Sequence, residues 1–375
     1  MDMEKSPPDN KDNKNQKDGV MLYVHIPFCA SKCPYCAFYS AVPTRAAVDG
    51  YISSLVRRIR SLPAVKFNTV YFGGGTPLTL GEDNICFALD EIFSSADVAA
   101  NAEITFEANP QPNAEHSFKK LASAGFNRLS LGLQSGDDDV LKTIGRRHTS
   151  ADFVNAARAG KELFPSVSGD IIFALPGGGV EKTVETVLSL GFDHISAYSL
   201  ILEEGTPMFK NRCRYPLPDE EKEESEYFYI CQKLKQAGFY HYEVSAFAKP
   251  GHESRHNLGY WRRLPYIGIG PSAHSFYRGV RFSTPPDTGL FIKNSSLPFL
   301  ADTDFYEKSP LTPEEEDEER IMLGLRTSRG VSLSGEKLKK AEKFIKLGYG
   351  GLDGDRFYLN DKGYRVSNAI ISELI

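Results

Sequence analysis

Residues 23–38 read YVHIPFCASKCPYCAF, and the remainder of the chain can be ordered around them. An apolar run with strand character ends at Pro27, and Cys29, Cys33 and Cys36 follow with three and two residues between them. A loop leaving a strand can turn three such sulfurs to one point, and thiolates gathered in this way select zinc, copper(I) or an iron–sulfur cluster. A cubane takes four cysteine ligands, so three leave one iron without a protein ligand. Two other readings compete. His25 would complete a closed Cys3His zinc site. A disulfide scaffold is disfavoured, because six cysteines in 375 residues are sparse and three of them fall within eight positions.

Composition narrows the class. The chain is 41% apolar and 25% charged, which suits a soluble protein with one large and one smaller unit. A net charge of −5 with pI near 6.0 gives no general attraction to nucleic acid or anionic lipid, so partners are expected to be recognised locally and nucleic acid is not among them. Residues 1–19 mix both charges with Pro, Asn and Gln and lack an apolar core; they are expected to form a disordered leader rather than a signal peptide. No apolar run approaches the ~20 residues that cross a bilayer. Free thiols without an export signal point to the cytoplasm.

From Val20 to about Ile201, short β-branched or aromatic runs alternate with segments of helical period. Strands are expected at Val20–Pro27, Thr69–Gly74, Glu103–Ala108, Arg128–Leu133, Val167–Leu175 and His194–Ile201. Six in succession predict an α/β fold, a partial (β/α)6 TIM-like barrel over 20–215. Thr44 is placed to cap a helix whose Val48, Ile52, Leu55 and Ile59 share one face, and Gly125 and Gly191 sit where helices should end.

Polar or glycine motifs recur where these strands end, the face on which parallel barrels build their sites. Strand two closes on GGGTP (73–77), strand three carries Glu107, strand four leads to Gln134 and then Arg146, and strand five carries Asp170. The glycines alone could be a tight turn, Glu107 a cap, Gln134 a loop amide and Arg146 half of a solvated Arg–Arg pair. Asp170 lies between Gly169 and two isoleucines, where an unpaired carboxylate is costly, so it requires a partner.

The strings YVHIPFC, CxxxCxxC, GGGTP, EANP, SLGLQS, IGRRH and HNLGYW occur in this order. Together they resemble the radical S-adenosylmethionine (SAM) enzymes, in particular the group of oxygen-independent coproporphyrinogen oxidases and HemW heme chaperones. The resemblance covers nearly all of the chain beyond the leader. It implies a [4Fe–4S] cluster on Cys29, Cys33 and Cys36 whose open iron is chelated by SAM. It also implies a SAM pocket built from Tyr23, Gly74, Gly75, Thr76, Glu107, Gln134, Arg146 and Asp170, with carboxylates accepting from the ribose and amino groups and Arg146 meeting the SAM carboxylate. Oxidases of this group carry a fourth cysteine where this chain has Phe38, and a longer N-terminal arm. The HNxxYW string is characteristic of the chaperone branch. The implied function is therefore a heme chaperone that delivers heme to an unidentified acceptor protein, a respiratory protein being one candidate; oxidative decarboxylation of coproporphyrinogen III is the alternative.

Heme is expected to be held by the segment His256 to Trp261, with His256 as ligand and Tyr260 and Trp261 as flat faces. In a helix, His256 and Tyr260 would instead be i, i+4 neighbours and Trp261 a core anchor. His252, His241 and His274 are the fallback ligands.

The boundary is placed near 215, with a connecting stretch over 216–300. It holds a long helix (about 219–236), one strand over His241–Ala248, and PYIGIGPSAHS (265–275), which lacks the following helix a nucleotide loop needs. Over 301–375, Thr312, Pro313 and Glu315 mark a helix start, a second helix spans about 334–347, GGLDGDRFYLND reads as a hairpin and Lys362–Leu374 as a last helix. This α+β order resembles a winged helix. Its lysines at 337–346 alternate with glutamates as on a solvated helix face, which is preferred over nucleic-acid binding. Cys86, Cys213 and Cys231 are expected to be ordinary buried thiols. A zinc-stabilised winged-helix regulator is the remaining alternative, and a homodimer is compatible with the chain.

Overall fold

Six strands, β1 (Val20–Ile26), β2 (Lys66–Gly74), β3 (Asp97–Ala108), β4 (Arg128–Gln134), β5 (Ser166–Phe173) and β6 (His194–Ser199), lie side by side in chain order, each parallel to the next. Helices α1 (Arg45–Arg60), α2 (Glu82–Ser95), α3 (Ala114–Ala124), α4 (Asp138–Thr143), α5 (Ser150–Leu163) and α6 (Val180–Ser189) return the chain between them. This computed structural model describes residues 19–297, 299 and 305–375; the expected leader, Gly19 apart, lies outside the described residues.

The strands alternate with period two, and the alternation decides what the barrel can hold. Leu22, Val24, Ile26, Val70, Phe72, Ile104, Phe106, Leu129 and Leu131 share one buried core with helix residues such as Ile52, Leu55, Leu89 and Phe118. Fully burying a side chain like Phe72 contributes roughly 1.5–3 kcal/mol. The intervening residues form two polar groups inside, Tyr23, Tyr71 and Glu107 joined by a ring contact and a hydrogen bond, and Ser130 hydrogen-bonded to Asp170. The covering helices are locally specified: Thr44 Oγ1 accepts from the Ala47 N–H, and Gly125 ends α3 at φ 114°.

The sheet extends beyond the six strands. β7 (Tyr240–Glu243) and β8 (Ala246–Ala248) are an antiparallel hairpin, β8 pairing with β6. The single strand expected over His241–Ala248 is thus two, turned at Val244 and Ser245, where the Ser245 N–H donates to Glu243 Oε2 at 3.2 Å. β9 (Tyr266–Ile269) adds parallel to the free edge of β1, and β10 (His274–Tyr277), β11 (Val280–Ser283) and β12 (Glu307–Pro310) continue antiparallel. Residues 216–300 therefore contribute strands to both flanks of the barrel sheet. Between β9 and β10 the chain turns at Gly270, φ 118°, where a Cβ would stand 2.3 Å from the His25 carbonyl oxygen.

The C-terminal unit has its own core, with Ile321, Leu325, Phe344, Phe357, Ile370 and Leu374 around the three-stranded sheet β13 (Val331–Ser332), β15 (Arg356–Leu359), β14 (Gly350–Asp353). Thr312 and Glu315 form the expected capping box. The last helix is broken in two, Asp361–Arg365 and Ser367–Leu374, at Val366. Lys337 and Lys343 reach Asp317 and Glu373 on other helices, exposed ion pairs that contribute little stability. Among the described residues, no helix is long and apolar enough to cross a membrane.

Candidate functional site

The strand register assembles the site. Tyr23 lies opposite Tyr71, His25 opposite Gly73 and Ile26 opposite Gly74, so the chain leaves β1 directly beside the glycine turn that ends β2. The cysteine loop is then stitched to that turn. The Gly75 N–H donates to the Ile26 carbonyl at 2.8 Å and the Thr76 N–H to the Phe28 carbonyl at 2.7 Å. Glycine is required here by close approach: a Cβ on Gly75 would stand 2.4 Å from the Phe28 oxygen, and one on Gly74, φ 109°, 2.7 Å from the His25 ring.

Cys29, Cys33 and Cys36 are all partly exposed on this loop. Cys29 Sγ lies 3.5 Å from Thr76 Oγ1, and Arg146 Nη1 lies 3.8 Å from Cys33 Sγ. Burial pushes the Cys36 thiol up, with the Phe38 backbone acting in the opposite sense, so a metal has to displace its proton. His25 is not the fourth ligand of a zinc site. Its Nε2 faces the Tyr39 carbonyl at 3.1 Å and its Nδ1 the Tyr23 hydroxyl at 3.0 Å. A carbonyl only accepts, so Nε2 carries the proton and Nδ1 accepts from tyrosine. Burial lowers its pKa to about 4, keeping the ring neutral, and the Tyr23 hydroxyl occupies the one lone pair a metal would need.

The polar residues expected from strands three to five face the same end. Glu107 Oε1 accepts from the Tyr71 hydroxyl at 2.6 Å and Oε2 from the Gly74 N–H at 3.3 Å. Burial, reinforced by nearby Asp170, outweighs these bonds and raises Glu107 to about 7. Asp170 has the partner its position demands, Ser130 Oγ at 2.6 Å, and burial raises it as well. Gln134 sits at φ 68°, where the β4–β5 register shifts, which re-aims its side chain at the end of the strand. Arg146 Nη2 donates to the Gly132 carbonyl at 3.0 Å and to Asn109 Oδ1 at 2.7 Å; its Nε is buried without a partner among the described residues.

Asn109 is the residue that sequence reasoning missed. Its Nδ2 donates to Thr76 Oγ1 at 2.9 Å, so one amide joins Arg146 to the glycine turn. The available signal was its place in EANP, two positions after Glu107.

Of the HNLGYW segment, only Tyr260 reaches the cavity beside the cysteine loop. The segment is the helix Arg255–Trp261, docked at the opposite end of the strands, where the His256 N–H donates to Glu103 Oε1 at 2.9 Å. His256 is 1% exposed, with Nδ1 2.7 Å from Thr69 Oγ1 and Nε2 2.9 Å from Tyr260 Oη. Both ring nitrogens are therefore occupied, and the residue expected to ligate heme is packed here as a core anchor. Its ring stacks on Tyr71 at 4.9 Å, and Tyr71 reaches Glu107, so this plug supports the site from beneath. Trp261 carries the Arg326 guanidinium over its ring at 5.7 Å.

Of the fallback histidines, His241 is held by Asp361 at 2.9 Å, and His252 lines a large cleft at the Arg255–Trp261 end that does not include the cysteine loop. His274 is exposed on β10. It lines a cavity of about 340 Å³ with Tyr23, Phe38, Tyr39, Tyr260 and Tyr266, adjoining the cysteine loop. Phe38 is itself 70% exposed. Cys213, expected to be buried, is also exposed.

A partial parallel barrel with three thiols on the loop after its first strand defines the radical SAM class, and the sequence model of the Radical SAM superfamily matches residues 23–190. The chain is 35% identical to the heme chaperone HemW of Lactococcus lactis subsp. lactis, covering 94% of this chain and 96% of that protein. It is 35% identical to HemW of Bacillus subtilis over 86% of each. Among solved structures it matches the radical SAM enzyme coproporphyrinogen III oxidase (HemN) from Escherichia coli, TM-score 0.81, with 95% of this chain and 90% of that one covered; at 21% identity this likeness shows the fold. Within the radical SAM superfamily, the chain belongs to the HemW family.

Proposed function

We propose that this protein is a cytoplasmic heme chaperone that holds a [4Fe–4S] cluster on Cys29, Cys33 and Cys36, binds SAM beside it, and passes heme to an acceptor protein. The observation that carries the reading is the aromatic cavity next to the cysteine loop, with an exposed imidazole at its rim. Flat apolar walls from Phe38, Tyr39, Tyr260 and Tyr266 suit a macrocycle, and His274 is the residue we assign as its axial ligand. The three loop thiols are a soft donor set that suits iron and sulfide, and such a cluster supplies an open iron and an electron to whatever it binds.

In this reading the chain's own residues do the positioning. The Gly74–Thr76 turn brings backbone groups close to the ligand, Asn109 fixes Thr76 and Arg146 relative to each other, and Arg146 offers its guanidinium to a carboxylate. Tyr23, Gln134, Glu107 and Asp170 complete the polar wall. Phe38 supplies an apolar ring where the oxidases place a thiol, which favours heme carriage over porphyrinogen chemistry.

The test is an anaerobically reconstituted sample, titrated with hemin and assayed in parallel for coproporphyrinogen conversion. Saturable hemin binding with background turnover is expected. SAM-dependent production of protoporphyrinogen without hemin binding would overturn the reading.

Glu107 gives the SAM pocket a pH signature. With its carboxyl raised to about 7, the group is largely protonated at pH 6 and ionised at pH 8, and only the ionised form accepts strongly from an ammonium or hydroxyl. SAM affinity should therefore increase as pH rises through about 7. Glu107→Gln should weaken binding at pH 8 by roughly tenfold or more and flatten the profile. Equilibrium dialysis at pH 6, 7 and 8 measures both effects. An unaltered pH dependence in the glutamine variant would remove Glu107 from the pocket.

A further inference from the structure

Away from the cysteine loop, a second group of ligand-type side chains meets where the barrel touches the C-terminal unit. Cys231 projects from the helix Glu220–Gln236, His241 from β7, and Asp361 from the first turn of the helix Asp361–Arg365. One sulfur, one imidazole nitrogen and one carboxylate oxygen lie within 4.8 Å of one another. We propose that these three residues bind a thiophilic divalent cation, zinc foremost, which ties the C-terminal unit to the barrel.

The hydrogen bonding around His241 is the second observation. Its Nδ1 faces Asp361 Oδ1 at 2.9 Å and its Nε2 faces the Val244 carbonyl at 3.3 Å, so both ring nitrogens look at acceptors. A neutral imidazole has one N–H and can fill only one of these contacts. A cation between Nδ1 and the carboxylate fills the other and leaves Nε2–H for Val244, the arrangement in which a metal-bound histidine donates its second nitrogen to a backbone carbonyl. The competing arrangement is an imidazolium–carboxylate pair with the thiol as a bystander.

The surroundings are pre-organised for coordination. Phe247 stacks on the His241 ring at 4.0 Å, and the Tyr227 hydroxyl donates to the Asp361 carbonyl at 3.0 Å. Donor atoms around tetrahedral zinc stand roughly 3.3–3.7 Å apart, so the His241–Asp361 pair, at 2.9 Å, opens slightly to admit the cation. The Asp361 side chain is 44% exposed and that of His241 7%, so the cation has an entry path and a water can complete the fourth position.

The experiment uses the full chain with its iron–sulfur cluster reconstituted, and in parallel the full chain with Cys29→Ala, Cys33→Ala and Cys36→Ala, so that the outcome does not depend on the cluster. Both are equilibrated with zinc, passed over chelating resin, and measured by metal mass spectrometry and zinc-edge X-ray absorption. About one retained zinc per chain is expected in each, with one sulfur at about 2.3 Å and nitrogen or oxygen donors at about 2.0–2.2 Å. Cys231→Ser and Asp361→Asn should each weaken retention at least about tenfold without altering iron content. Absence of retained zinc, a three-sulfur shell, or full retention in Cys231→Ser would overturn the proposal. Should the serine variant unfold, the one-sulfur shell in the chain with Cys231 intact decides.

Discussion

Serine at any one of Cys29, Cys33 or Cys36 is expected to take the reconstituted protein from about four irons per chain to almost none, with loss of the visible thiolate-to-iron absorption. The loop offers three thiols, so each carries a third of the protein's hold on a cubane. A hydroxyl is a harder donor that keeps its proton at neutral pH. The change should be nearly all-or-none and should spare the fold, because the loop side chains are partly exposed and lie outside the buried core. Cys213→Ser, at an exposed cysteine distant in sequence, is the control and should retain full iron. Iron analysis, absorbance and circular dichroism on the four variants make the test. Serine variants that keep their iron, or unmodified protein that loads stoichiometric zinc in place of iron, would remove the cluster from the account.

That site was legible because its parts are encoded locally. Three cysteines after a strand, a glycine run after the next, and single polar residues at later strand ends can each be read within a few positions of sequence, and parallel topology brings strand ends together. Helix boundaries were equally local: Thr44, Thr312 and Glu315 make the caps that their spacing suggests. Where pairing is long-range, sequence was a weaker guide. Nothing in Tyr266–Ile269 specifies that it adds to β1 rather than to its neighbour β8, since that choice depends on which edge the rest of the sheet leaves open. The β7–β8 turn was missed for a related reason. Val244 and Ser245 carry no Gly, Asn or Pro signal, and the turn is held from outside by the Val244 N–H donating to the Arg326 carbonyl at 2.8 Å.

Asn109 and Tyr71 show the same limit inside the site. Asn109 is marked only by its place in EANP and Tyr71 by no spacing at all, and each matters through partners distant in sequence: Asn109 through Thr76 and Arg146, Tyr71 through Glu107 and His256. Interior polar residues of a barrel acquire roles only when the register is known. The pairing of Tyr23 with Tyr71 and of Glu107 with Ser130 could not be read from either strand alone.

The histidine of HNLGYW is where motif and geometry part, and a pair of alanine substitutions measures the difference. His256→Ala removes a fully enclosed imidazole and orphans Thr69 Oγ1 and Tyr260 Oη, each of which lies within 3 Å of a ring nitrogen. A cavity of that size with unpaired polar neighbours should cost roughly 2–5 kcal/mol of stability. Burial lowers His256 to about 3, so it is neutral across the physiological range and acts through shape and hydrogen bonds, not charge. In the fraction that remains folded, the Soret band should be unchanged, because His256 does not line the heme cavity. His274→Ala should do the reverse. Its side chain is exposed, so thermal stability should stay within about 0.5 kcal/mol, while hemin affinity should fall about tenfold or more and the Soret band should move as the axial nitrogen is lost. Thermal unfolding and hemin titration on both variants separate the two roles. A stable His256→Ala protein that no longer binds hemin would return ligation to the HNLGYW helix, and an unaltered Soret band in His274→Ala would show that heme, where bound, is held by another group.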